Sequence, residues 1–382
     1  MKTFFVKPKI YYGRNSLAFL STLDVNRVCI VTDKMMVKLG VADKIKSYVP
    51  HTVCTIFDEV EPNPSLDTVK KALAIFLDDG PDVMIAVGGG SPIDAAKAIL
   101  YLSDEISKQI PFKRPLFIAV PTTSGTGSEV TSYSVVTDTE RNIKIPFTDE
   151  RMMPDIAILD EELTKTVPPT VTADTGMDVL THAIEAYVTR DANEFTDMYA
   201  EKAIQAVFTY LPRVYRFGGD MEARGQMHLA SCMAGIAFNN SGLGINHSLA
   251  HALGALFGLS HGRANAILLP YVIQFNAGLC DGTAAISPAA KKYASIAKML
   301  GLPCSSTEEG VISLVAAVKY LQKVLDIPET LAAAGVDRKE LDDCMSFIIK
   351  SAREDVCTAG NPKEVRPIDF THLLNWVYEG DQ

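Results

Sequence analysis

Four histidines and one aspartate in the second half of the chain have the types and spacing to hold a metal ion. In GMDVLTHAIEAYV (176–188), Asp178 and His182 stand four residues apart, so on a helix they share one face. In INHSLAHALGALFGLSHG (245–262), His247 and His251 repeat that spacing, and His261 follows a short glycine-containing segment. Two such helices side by side, with a turn bringing His261 back, would gather Asp178, His182, His247 and His261 into a site of three nitrogens and one oxygen. Read singly, each is an ordinary core residue; both pairs together, on a chain with nucleotide-binding signals upstream, favour a metal. Without a thiolate the set suits Fe²⁺, Zn²⁺, Co²⁺ or Mn²⁺, and spacing does not choose among them. The chemistry such an ion would serve is hydride transfer. Hydride leaves an alkoxide far more readily than an alcohol, and a divalent ion that lowers a hydroxyl pKa by about nine units supplies on the order of 12 kcal/mol. His251, at the edge of that set, would relay the proton to solvent. His51, His228 and His372 lack such company and read as structural.

The nucleotide signals lie in the first half. VGGGSPIDAAKAI (87–99) reads as a strand end, a glycine-rich turn and a helix start. Ser91 is placed to be the N-cap, Pro92 fits the first helical position and Asp94 the third. Backbone N–H groups at such a turn, with the helix dipole, suit a pyrophosphate. The segment is neither G-x-G-x-x-G nor a Walker loop, and a tight turn needing positive φ would use the same glycines. PTTSGTGSEVTSYS (121–134) follows the next strand with hydroxyls suited to phosphate or ribose, though a solvated loop could look alike. Asp33 ends the strand RVCIVTD, where a carboxylate can accept from ribose hydroxyls and repel a 2′-phosphate, favouring NAD over NADP.

These residues need a scaffold. RVCIVTD (27–33), PDVMIAVGGG (81–90) and LFIAVPTT (116–123) read as buried parallel strands, and SLDTVKKALAIFLDDG (65–80) as a helix between them. That alternation predicts an α/β dinucleotide-binding domain with an open parallel sheet over residues 1–172. Past VPPTVTADTG (167–176), which reads as a hinge, the pattern becomes helical throughout and predicts an all-α metal-binding domain over 173–382. No internal repeat is visible.

Composition sets outer bounds. A net charge of −10 without a Lys/Arg run disfavours nucleic acid as a partner. No apolar run reaches the roughly eighteen residues of a membrane span, and the start lacks the apolar core of a signal peptide. Seven cysteines are scattered without a C-x-x-C pair, the usage of a reducing compartment, so the expectation is a cytoplasmic enzyme without disulfides or thiolate metal sites.

The motifs GGGSPIDAAKA, PTTSGTGSEVT, GMDVLTHAIEAYV, the three-histidine stretch and the closing DVCTAGNP (355–362) occur in the order and at roughly the separations of the iron-containing alcohol dehydrogenases. The chain resembles that family over essentially its full length. The resemblance implies Asp178, His182, His247 and His261 as ligands, usually to Fe²⁺ and in some members Zn²⁺, with His251 close to the metal and nicotinamide. It implies cofactor contacts from Asp33, Asn63, Gly90, Ser91, Asp94, Thr122, Thr123, Thr131, Tyr133, Lys144 and Leu163. Of these, Asn63 and Leu163 have no independent claim from the residues, whereas Lys144 is chemically sensible as a donor to a ribose hydroxyl. Tyr133, with Val135, Phe238 and Cys357, would narrow the pocket toward unbranched short primary alcohols or diols. The expected partner is a small alcohol or aldehyde, and the strand-like N-terminus FFVKPKIYYG could pair across a homodimer or higher homo-oligomer. A glycerol-dehydrogenase-like or dehydroquinate-synthase-like enzyme of the same fold is the alternative. A metal-dependent hydrolase without a nucleotide is a reading from another class, and NADH binding separates it from a dehydrogenase.

Overall fold

The computed structural model describes residues 3–107, 113–139, 143–279 and 287–380. The chain divides into two compact units, Met1–Val167 and Pro168–Gln382.

In the first unit the elements run β1 (Lys9–Tyr12), β2 (Arg27–Val31), α1 (Lys34–Lys38), α2 (Val41–Ser47), β3 (Val53–Phe57), α3 (Leu66–Asp79), β4 (Val83–Gly88), α4 (Gly90–Ser107), β5 (Leu116–Pro121), β6 (Tyr133–Asp138), β7 (Ile143–Thr148) and β8 (Ile156–Leu159). Six strands form one parallel sheet in the order β1-β8-β5-β4-β2-β3, and β6 pairs with β7 as a separate antiparallel hairpin. Residues on β4 alternate between two cores. Val83, Ile85 and Val87 pack with Leu17, Leu20 and Ile45, whereas Met84 and Ala86 pack with Val69, Phe76 and Ile99. Both faces are covered, which is why the central strands are apolar without interruption. Ser65 caps α3 through the Thr68 amide at 3.1 Å, and Gly80 ends it at φ 53°. The strand order reverses between β2 and β4. Their carboxyl ends, bearing Asp33 and the glycine-rich turn, lie at the place where open α/β sheets bind ligands.

The second unit is helical: α5 (Pro169–Val188), α6 (Glu194–Arg216), α7 (Met221–Ser241), α8 (Ile245–Phe257), α9 (His261–Ala277), α10 (Pro288–Met299), α11 (Thr307–Val324), α12 (Arg338–Glu354) and α13 (Pro367–Glu379). The segment read as a hinge is helical from Pro169, because a proline at the first helical position loses no hydrogen bond and starts with a suitable φ. From Thr172 to Val188, α5 is buried at every position except Thr175, a central helix walled in on all sides. Among the described residues no helix is long and apolar enough to cross a membrane. The six described cysteines are free, and Cys280 lies outside the described residues.

Candidate metal centre and glycine-rich turn

Helix periodicity brings the predicted ligands together. Asp178 and His182 lie on one face of α5, His247 lies in the first turn of α8, and His261 is the first residue of α9. Gly258, in the left-handed region at φ 66°, ends α8 and lets the chain turn back within three residues. One candidate ligand atom from each of Asp178, His182, His247 and His261 lies within 4.8 Å of the others. Asp178 is the common neighbour: its oxygens stand 3.9 Å from His182 Nδ1, 3.8 Å from His247 Nε2 and 3.6 Å from His261 Nε2. Those separations are too long for hydrogen bonds. They resemble the edges of a coordination shell, since donors about 2.0–2.2 Å from a shared ion stand roughly 3.3 Å apart in a tetrahedron.

Two buried imidazole nitrogens of this cluster, His182 Nδ1 and His247 Nε2, have no hydrogen-bond partner among the described residues. Buried polar atoms are rarely left so, and a cation is the partner that satisfies an imidazole lone pair facing a carboxylate. Electrostatics point the same way. Burial, with the neighbouring histidines and against the pull of Asp178, holds the His182 imidazolium pKa down at about 3, and burial puts His247 well below its ordinary value. Both rings are therefore neutral, the form that binds metal. Burial also raises the Asp178 carboxyl, the cost of an anion with no cation beside it.

Around this set stand groups the sequence reading does not single out. Glu185 Oε2 lies 2.6 Å from His247 Nδ1. Asn265 Nδ2 donates to Asp178 Oδ1 at 2.7 Å and lies 3.1 Å from His261 Nε2, while Asn265 Oδ1 accepts from Asn246 Nδ2 at 2.9 Å. Phe238 stacks on the His182 ring with centroids 4.5 Å apart. Glu185 is seven residues past Asp178 and Asn265 four past His261, so both stand at helical spacing from a ligand, a signal too common on helices to mark them by itself.

His251, placed one turn after His247, has Nδ1 2.8 Å from Asp355 Oδ2, and its ring stacks on His261 at 5.2 Å. Burial pushes the Asp355 carboxyl up, but His251 and the Cys357 amide outweigh it and hold it at about 2. Asp355 is thus an anion that holds the imidazole through Nδ1. Replacing Asp355 with Ala should lower kcat roughly 10- to 100-fold while metal content stays at the wild-type level, as steady-state kinetics beside metal analysis would report. An unchanged kcat would remove Asp355 from the proton path.

In the first unit the glycine-rich turn is shaped by its neighbours. Gly88 has φ 147°, and a Cβ there would sit 2.6 Å from Pro92 Cγ. A Cβ at Gly90 would meet Thr126 Cγ2 at 3.0 Å, and the Thr122 amide donates to Gly88 O at 2.9 Å, so the two loops pack directly. Helix α4 begins at Gly90, one residue before the predicted cap, and Ser91 Oγ instead accepts from the Asn63 amide at 3.3 Å. Asn63 itself holds a left-handed φ of 57°. The half-buried Asp94 carboxylate accepts from Ser128 Oγ at 2.6 Å and the Val135 amide at 3.2 Å. Lys97, fully buried, donates to Ser128 Oγ, Thr131 Oγ1 and Tyr133 O at 2.9, 3.0 and 2.8 Å. Burial lowers the Lys97 ammonium to about 8 and raises Glu129 to about 7, and attraction from Asp94 and Glu129 offsets part of the lysine's shift. Thr131, Tyr133 and Asp94 therefore tie the 121–134 loop to α4. Asp33 caps α1 by accepting from the Met36 amide at 2.9 Å through Oδ1. Leu163 is buried in the core and Thr123 borders Gly89. Lys144 stands on β7, and its side chain lies outside the described residues.

An α/β unit with a glycine-rich turn at the sheet's switch point, followed by a helical unit with an Asp–His₃ cluster buried except at His261, is the organisation of a metal-dependent, nucleotide-using enzyme. Residues 7–161 match the family described as "Iron-containing alcohol dehydrogenase", and residues 172–378 match "Fe-containing alcohol dehydrogenase family, C-terminal". The chain is 41% identical to an NADPH-dependent butanol dehydrogenase of Clostridium saccharobutylicum, over 100% of this chain and 99% of that one. It is 40% identical to a 1-propanol dehydrogenase of Salmonella typhimurium, over 98% and 99% of the two chains. A solved 1,3-propanediol oxidoreductase superposes with a TM-score of 0.89 at 32% identity, covering 99% of this chain and 100% of that one. The chain belongs to the iron-containing alcohol dehydrogenase family and is an enzyme of that class.

Proposed function

We propose that the enzyme moves hydride between NAD(H) and a short unbranched primary alcohol or diol, or the corresponding aldehyde. Asp178, His182, His247 and His261 would hold a divalent ion, Fe²⁺ by family habit with Zn²⁺ as the alternative. The observation that carries this reading is the pair of buried, unpartnered imidazole nitrogens facing the Asp178 carboxylate. An ion held there supplies Lewis acidity that makes an alcohol hydroxyl acidic near neutral pH. His251 would then carry the released proton outward through Nε2, with Asp355 keeping the ring in place. Phe238, stacked on His182, presents an apolar wall that favours a small alkyl substrate. Amide groups of the 88–91 turn would cradle the pyrophosphate, with the remaining cofactor positions implied by resemblance around it. The relatives' names include butanol, 1-propanol and 1,3-propanediol, which supports the substrate class.

Cofactor choice rests on Asp33. Its Oδ1 is committed to the α1 cap, and the remaining carboxylate oxygen is suited to a ribose hydroxyl and unsuited to a 2′-phosphate. The butanol dehydrogenase relative uses NADPH, which keeps NADPH as a second reading. In a wild-type assay kcat/KM should favour NADH, and Asp33→Ala should shift the NADH/NADPH ratio toward NADPH by about tenfold, near 1.4 kcal/mol. A wild type that prefers NADPH overturns this assignment.

The test of the whole reading is anaerobic purification with metal analysis, then an NADH-linked assay across two- to five-carbon aldehydes. Stoichiometric iron or zinc with turnover of these aldehydes is expected. No NADH binding at physiological concentration, or turnover that survives removal of the metal, overturns it. The scattered cysteines support a cytoplasmic location, and β1 at the sheet edge with an exposed Tyr12 supports a homodimer.

A further inference from the structure

We infer that Glu185 is a positioning residue that locks His247 in the tautomer able to bind a metal. The inference rests on the four-residue metal centre proposed above and concerns how the protein prepares one of its ligands.

Glu185 and His247 are both buried, with relative exposures of 3% and 1%. Every group placed against the Glu185 carboxylate in that contact is a hydrogen-bond donor or can become one. The Asn246 amide donates to Oε1 at 2.9 Å, and the His247 amide donates to Oε2 at 3.4 Å. The third partner, His247 Nδ1, is 2.6 Å from Oε2. Burial raises the Glu185 carboxyl, and the amide donors of Asn246, Gly244 and His247 act against that rise. In its ionised form the group only accepts, and the imidazole then carries its hydrogen on Nδ1. In a neutral ring the lone pair then lies on Nε2, which is the buried, unpartnered nitrogen 3.8 Å from Asp178 Oδ1. Carboxylate, imidazole and metal position thus stand in series, the arrangement in which an outer carboxylate fixes ring orientation and raises ligand basicity. The fold supplies this by helical spacing alone: Glu185 is three residues after His182 on α5, so one helix provides two ligands and the partner of a third.

Glu185→Gln isolates the effect because it keeps shape and changes only what the group can donate. The fixed Asn246 amide requires an acceptor, so the substituted carboxamide keeps its oxygen there and turns its NH₂ toward His247. Nδ1 must then accept, and the hydrogen moves to Nε2, where it blocks coordination. The opposite amide orientation sets two donors against each other at the 2.9 Å Asn246 contact, a closer clash than the one the favoured orientation makes with the His247 amide at 3.4 Å.

The experiment is titration of metal-free wild type and E185Q with Zn²⁺ against a chromophoric chelator. Zn²⁺ should bind E185Q about 10- to 100-fold more weakly, while the two metal-free proteins melt within a few degrees of each other. Equal Zn²⁺ affinity overturns the role of Glu185 and leaves the metal centre standing. A wild type that takes up no Zn²⁺ overturns the metal centre and this inference with it. A second readout needs no variant: magnetic resonance of metal-free wild type carrying isotopically labelled histidine should find the His247 hydrogen on Nδ1. Finding it on Nε2 overturns the inference even if E185Q does not fold.

Discussion

An Asp178→Ala enzyme will lose its metal and its activity together, while its metal-free fold stays about as stable as that of the wild type. Asp178 is the one anion among the four candidate ligands and touches the reach of all three imidazoles. Loss of an outer partner of a metal ligand costs about 10- to 100-fold in affinity or activity, so loss of the anionic ligand itself should cost roughly 10³-fold or more. Stability should behave differently because of what the carboxylate experiences without the ion. Burial raises its pKa, so in the metal-free protein it is a group held at a cost. Removing it relieves that cost and leaves Asn265 Nδ2 without its 2.7 Å acceptor, a penalty of about 1–3 kcal/mol that acts in the opposite direction. The two effects offset. The expected record is therefore a wild-type melting point that rises on adding Zn²⁺, as it does for any ligand that binds only the native state, and a variant melting point that does not respond. Full activity in a metal-free Asp178→Ala protein would mean that the chemistry runs without this centre.

The ligands are legible in the sequence because a helix converts spacing into proximity. Asp178 with His182, and His247 with His251, sit at i and i+4, and the glycine at 258 announces the turn that returns His261. Glu185 and Asn265 obey the same spacing, but Glu and Asn are common on helices and only burial singles them out. Asp355 is beyond any local rule: it lies 104 residues from His251 and meets it through tertiary packing alone. In the first unit, β2, β4 and β5 are visible as uninterrupted apolar runs. Strand β3 is not, since it lies at the sheet edge with Val53 exposed and Cys54, Thr55 and Ile56 half-buried. Strands β6 and β7 hide in a polar stretch because they form a hairpin outside the main sheet. Asp33 and Asp94 show how one residue type supports two readings. Each carboxylate lies near a strand end suited to a nucleotide, yet one caps α1 and the other ties α4 to the next loop. Lys97 is a charged residue on α4 that is nevertheless fully buried, held by two hydroxyls and a carbonyl.

Gly262→Ala will destabilise the enzyme and loosen its metal, although helix propensity alone argues for the reverse. Alanine in place of a glycine within a helix ordinarily gains about 1 kcal/mol. Gly262 follows His261 in the first turn of α9, and a Cβ there would lie 2.1 Å from Asp174 O and 3.3 Å from Asp178 Cβ. The obstacle at 2.1 Å is backbone of α5, which cannot swing aside as a side chain can. Nor can the helices part freely, because the Asp174 carboxylate accepts from Ser260 Oγ at 2.6 Å and Arg263 Nε at 3.1 Å on either side of the contact. Relief requires a shift of roughly 1 Å between α5 and α9, at the upper end of the 1–3 kcal/mol that overpacking costs. For a unit of this size about 3 kcal/mol lowers the melting point by roughly 6–12 °C. The same shift moves His261 relative to Asp178, and a displacement near 1 Å at a reacting centre can cost about 10²-fold. Thermal denaturation and Zn²⁺ titration would read both effects, and their sign decides between the two forces. A Gly262→Ala enzyme that melts higher and keeps its metal would mean that propensity outweighs packing, and that α5 and α9 do not meet backbone to backbone at the centre.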